Sequence, residues 1–183
     1  MPTVQRTRTI EASPEELWQV LGDPHHLPRW WPRVSRVEAV TLTDTGEQDA
    51  FTEVLMGPSG KIVRADFKLL EQVERQRVVW AQQVEDTPFA RVLRSAETEI
   101  TIADARGGQA SGGVIDGHGE HRPATAVTIE LRQELQGFRG ESTLSLRMSG
   151  ISRFGSPLVR RAAAATIEEA LDGLERIVGG GAE

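Results

Sequence analysis

The sequence predicts an α+β fold: a curved antiparallel sheet of seven strands wrapped around one long C-terminal helix, with two short helices after the first strand. Three observations predict it. Residues 34–136 break into strand-like segments, most of them joined by links too short for parallel crossovers. A capping box opens a helix directly after the first strand. Residues 157–178 hold the only long amphipathic helix pattern.

In order, TVQRTRTIE (3–11) alternates weakly and reads as the first strand. Ser13 caps the next helix, Pro14 suits its first position and Glu16 completes the capping box. Leu17, Val20 and Leu21 form its apolar stripe, and Gly22 ends it. Asp23-Pro24 starts a second short helix that breaks before Pro28. Strands follow over 34–42, 49–56, 60–73 and 76–85, separated by DTGEQ, GPSG and ER. Two more cover 95–104 and 125–136. In the last, Val127, Ile129, Leu131 and Leu135 share one face, while Glu130, Arg132 and Glu134 share the other. The Gly-rich stretch 105–124 between them reads as a flexible insert loop. Ser156 and Pro157 open the final helix, and 179–183 read as a disordered tail. Gly173 is a weak point inside that helix, costing roughly 1 kcal/mol relative to Ala.

A sheet wrapped around one helix encloses volume, and the run AAAA (162–165) leaves room there. Parity along the strands points Phe51, Phe67, Leu69, Trp80, Thr98, Ile100, Ile129, Leu131 and Gln133 inward, under Ile167 of the helix. This is the mostly apolar lining of a small-molecule pocket. In 49–56 parity is ambiguous. If Phe51 points inward, so does Glu53, the single weak candidate for general acid–base chemistry. Glu97 and Glu99 fall on the outer face and should be solvated.

The segment HHLPRWWPRV (25–34) places two of the four tryptophans side by side between prolines. Adjacent side chains diverge, so Trp30 is expected to pack inward and Trp31 to lie near the rim. His25 and His26 read as surface residues. Asp116, His118, Glu120 and His121 lie in the Gly-rich loop without a preformed second shell, so no metal site is expected. Arg153, Arg160 and Arg161 begin the last helix, within reach of Glu168, Glu169 or Asp172 as partners.

Composition narrows the function. Net charge is −6 and there is no basic domain, which argues against nucleic acid. An anionic membrane surface repels the average charge, although a local basic patch still docks. The chain has no cysteine, which removes thiol catalysis, disulfides and thiolate metal sites. No Walker or dinucleotide motif occurs, so no cofactor is expected. No segment reads as a signal peptide or membrane span, which points to a cytoplasmic protein, monomer or homodimer.

The opening strand with EASPEELWQVLGDP, then LPRWWPRVSRVE with Trp30 and Pro32 in a W-x-P arrangement, and the closing helix resemble the START-like SRPBCC superfamily, the helix-grip or Bet v-like fold. The similarity is greatest to its polyketide cyclase/dehydrase-like or lipid-transport-like branch, and it covers 1–183 as one domain. It implies a hydrophobic small-molecule ligand, lipid or polyketide-like, held in an internal cavity between sheet and last helix, with Trp30 and Trp31 near the entrance. A cyclase or dehydratase acting on a polyketide-like substrate is the alternative. A partner-binding module using a Trp30–Trp31 patch is the third.

Overall fold

A computed structural model describes residues 3–57, 60–105, 123–136 and 151–180. The order is β1 (Thr3–Ile10), α1 (Pro14–Leu21), a 3-10 turn (Pro24–His26), α2 (Leu27–Trp30), β2 (Val34–Leu42), β3 (Gln48–Met56), β4 (Ile62–Val73), β5 (Arg77–Gln82), a second 3-10 turn (Pro88–Arg91), β6 (Leu93–Asp104), β7 (Thr125–Leu135) and α3 (Ile151–Gly179). The strands form one antiparallel sheet in the order β1-β7-β6-β5-β4-β3-β2. Short links make the meander from β2 to β6. The first strand joins the far edge, with Thr7 opposite Thr128 and their hydroxyl oxygens 2.8 Å apart.

The segment between β1 and β2 must therefore span from one sheet edge to the other. It begins at Ser13, whose hydroxyl accepts from the Glu16 amide while the Glu16 carboxylate accepts from the Ser13 amide. Thr125, fully buried, donates to the Ala12 carbonyl at 2.6 Å and pins this corner. The chain crosses through a 3-10 turn into α2, which runs through Pro28 instead of breaking before it. A proline in the first turn gives up an N–H that has no helical partner there.

Helix α3 packs against β1, α1, α2 and β7. Ile167, Ala170, Leu171 and Leu174 are buried on its inner side. It starts at Ile151, earlier than the Ser156–Pro157 cap predicts, and Pro157 lies inside it. The cap rule is a preference: a proline inside a helix deletes one backbone bond, and the turns on either side persist here. Only Ala163 and Ala164 of the alanine run face inward; Ala162 and Ala165 are exposed. Less space is left than four inward alanines would leave.

Gly173 is no weak point. A Cβ there would lie 2.5 Å from the Trp30 carbonyl oxygen and 2.8 Å from its Cα. The missing side chain is what lets α2 rest on α3.

The outer face is laced by charge. Arg132 on β7 binds Glu97, Glu99 and Glu130, and Glu99 also meets Arg77 at 2.9 Å. Glu97 and Glu99 are thus ion-paired and half-covered, not freely solvated, because cross-strand neighbours bring cations beside them. Glu168 and Asp172 pair with Arg6 and Arg8 of β1, so they are not partners for Arg160 and Arg161. The Gly-rich loop with Asp116, His118, Glu120 and His121 lies outside the described residues, as does the tail beyond 180.

Candidate functional site

The concave face collects most of the residues that parity points inward. Trp30, Phe51, Trp80, Ile100, Ile129, Leu131 and Ile167 belong to one buried cluster, and Trp31, Phe67 and Leu69 pack against it. Register explains the grouping. Phe51 faces Phe67, Leu69 faces Trp80, Trp80 faces Thr98, and Thr98 faces Leu131. Thr98 is buried, and Gln133, opposite Ala96, is half-buried toward the end of β7.

Five aromatic rings run in an unbroken chain. Trp30 meets Trp31 edge-on at 5.3 Å, and Trp31 meets Trp80 at 6.2 Å. Trp80 meets Phe51 at 6.1 Å, and Phe51 stacks on Phe67 at 5.3 Å with the planes 12° apart. Trp30 is sealed within the cluster, whereas Trp31 is half-buried and packs against its border. The bend where α2 ends lets both rings turn inward, because Trp31 has left helical geometry for an extended one. Trp30 is 3% exposed, so of the pair only Trp31 presents surface to solvent.

Glu53 settles the ambiguous strand. It lies on the concave face, two residues beyond Phe51, with Val37 and Ala65 as its cross-strand neighbours. It is 2% exposed, and its Oε1 has no hydrogen-bond partner among the described residues. Burial alone pushes its carboxyl up to about 8, so the group is largely protonated at neutral pH. The strand was hard to read because Thr52 and Val54 on the other face are buried too. Thr52 donates to Asp66 at 2.6 Å, and Ser35 donates to the Val54 carbonyl at 2.8 Å.

The remaining room is narrow. A crevice of about 10 Å³ lies between Leu21, Leu27, Phe51, Leu69 and Trp80, space for roughly one water. A wider groove of about 350 Å³ opens beside β3 and β4, where Ala39, Thr52, Asp66, Lys68 and Gln83 line it. Sequence reading missed this groove, since the left-handed backbone of Ala39 beside a bulge in β2 shapes it. His25 is exposed beside Asp23, and His26 is half-buried. Among the described residues no group of three His, Asp or Glu side chains is arranged to hold a metal. No described helix is long and apolar enough to cross a membrane.

The architecture matches solved structures closely enough to identify the fold. A START superfamily protein from Mycobacterium smegmatis superposes with a TM-score of 0.66 at 16% identity, over 97% of both chains. The protein TTHA0849 from Thermus thermophilus gives 0.63 at 20% identity over the full length of both. The di-domain ARO/CYC StfQ of the steffimycin biosynthetic pathway gives 0.68 at 12% identity, covering 97% of this chain and 51% of that one. At such identities the likeness establishes the helix-grip fold alone. Among curated protein sequences none matches the chain. Residues 1–179 match the family described as polyketide cyclase / dehydrase and lipid transport, and the chain belongs to that family.

Proposed function

We propose that the protein binds a hydrophobic small molecule, lipid or polyketide-like, against the aromatic chain on the concave face, with Glu53 as its polar contact. One observation carries this reading: a buried carboxyl without a partner among the described residues stands beside stacked aromatic rings. Buried polar groups in folded proteins are nearly always satisfied, so an orphan reserves its hydrogen bond for something that arrives. A neutral carboxyl donates to a carbonyl or hydroxyl oxygen and accepts from a hydroxyl. The rings supply the apolar surface. Entry displaces the half-buried Trp31, Phe67 and Leu69, which border the core, and leaves Ile100 and Ile129 in place.

Tryptophan fluorescence tests this, because Trp31 and Trp80 sit in the ring chain. Titration with fatty acids, sterols and aromatic polyketides is expected to give saturable quenching by one class. Trp31→Ala should weaken that binding, and Phe67→Ala likewise. No saturable change with any class overturns the reading.

A second reading, cyclase or dehydratase chemistry, is favoured by one specific observation. A carboxyl that titrates near 8 is close to working pH and holds a proton to give. It would protonate a carbonyl oxygen as a ring closes, or a leaving hydroxyl as water departs. Glu53→Gln separates the readings: turnover is lost with binding retained if the group is catalytic, whereas a binder shows only a change in affinity.

A further inference from the structure

The end of the sheet where β2 begins and β3 meets β4 is basic in an acidic protein. Residues 29–36, 54–57 and 60–64 contain Arg29, Arg33, Arg36, Lys61 and Arg64 and no Asp or Glu. The chain as a whole carries −6, so everything else is more acidic still. Backbone pairing brings these segments together. The Met56 amide donates to the Arg33 carbonyl at 3.1 Å, the Gly57 amide donates to the Lys61 carbonyl at 2.9 Å, and Val34 lies opposite Leu55. All five cations are exposed. Arg36 and Arg64 share the single carboxylate of Glu38, at 2.7 and 3.1 Å. Arg33 and Lys61 make no ion pair with a described residue.

The same end displays Met56 and Ile62, directly opposite each other on the last rung between β3 and β4. They are 52% and 55% exposed. Leu42, Leu70 and Val92 are as exposed elsewhere, but Met56 and Ile62 are direct cross-strand partners beside the cations. Two side chains at a hairpin end offer far less than the ~800 Å² per partner of a stable protein interface. They suit a bilayer surface, where apolar tips enter the acyl boundary while flanking cations meet lipid phosphates.

We propose that this end, with Met56 and Ile62 flanked by Arg33 and Lys61, docks on an anionic lipid surface. The proposal does not rest on the interior holding a ligand, since an empty protein would dock equally. Docked, the basic end faces the lipid and the acidic remainder faces away, so the charge asymmetry also sets the orientation.

Co-sedimentation of the full chain with phosphatidylcholine vesicles, with and without phosphatidylglycerol, tests it. Binding is expected only when phosphatidylglycerol is present, and added salt should weaken it. Arg33→Glu with Lys61→Glu should reduce binding at least about tenfold, given the contribution of each surface cation. Met56→Ser with Ile62→Ser should reduce it about tenfold through lost apolar insertion. Arg176→Glu, on the exposed side of α3, serves as the control and should leave binding unchanged. All these side chains are exposed, and circular dichroism confirms that the variants fold. Three results would each overturn the proposal: no binding to anionic vesicles, equal loss from Arg176→Glu, or capture by soluble polyglutamate without vesicle binding.

Discussion

The two halves of the sheet use charge in opposite ways. Beside β1, Arg6 and Arg8 reach across to α3, where Arg8 meets Glu168 at 2.9 Å, Glu175 at 3.3 Å and Asp172. The interior there is apolar, with Ile100, Ile129, Leu171 and Leu174 sealed from water. Beside β3 and β4 the pattern reverses. A carboxyl is buried with no partner among the described residues, and cations stand exposed outside. One half spends its polar groups on holding itself together. The other leaves Glu53 Oε1, Arg33 and Lys61 without partners among the described residues, and unsatisfied groups of this kind concentrate where a protein meets something else.

Removing packing from the closed half should cost most. Ile129→Ala is expected to lose about 3–4 kcal/mol in chemical denaturation, from transfer and cavity effects together. A loss below about 1 kcal/mol would mean that this half is not the tightly packed one.

The open half should respond in the opposite direction. The Glu53 carboxyl titrates higher when folded than when unfolded, so the folded state holds the extra proton between about 4.5 and about 8. The contribution of this group to stability is then fully present at low pH and is lost as pH rises through that window. Glu53→Gln cannot ionise and escapes this decline. At pH 7 it should be more stable than the natural chain by on the order of 3 kcal/mol, and near pH 4 the two should converge. Parallel melting profiles from pH 4 to 8 would remove the contrast.

Gly173→Ala probes where the halves meet. In an open helix the change stabilises by roughly 1 kcal/mol. Here the new methyl collides with the Trp30 backbone, and the expected result is a loss of roughly 1–3 kcal/mol. The smallest effect belongs to the clasp. Arg8→Ala should cost roughly 0.5–1 kcal/mol, shrinking as salt is added, because the side chain is a quarter exposed.

Much of the fold was legible because period-2 patterns with one buried face leave little freedom of register. β7 is the clearest case, with Val127, Ile129 and Leu131 inward and Glu130 and Arg132 outward. β3 resisted because both its faces are covered, so alternation carries no direction there. Gly173 looked like a flaw because its reason lies in a contact with residue 30. α3 begins at Ile151, before Ser156-Pro157, because that pair favours a helix start without forcing one. The basic end was present in the residue counts all along, but only the pairing of β2, β3 and β4 gathers it.

Native mass spectrometry of the freshly purified protein, with solvent extraction of whatever leaves it, reads directly whether the concave face holds a small molecule. The expected result is a defined extra mass of a small hydrophobic compound, or its uptake from a panel of lipids and aromatic polyketides, with affinity altered by Glu53→Gln. A bare protein that takes up nothing would contradict it.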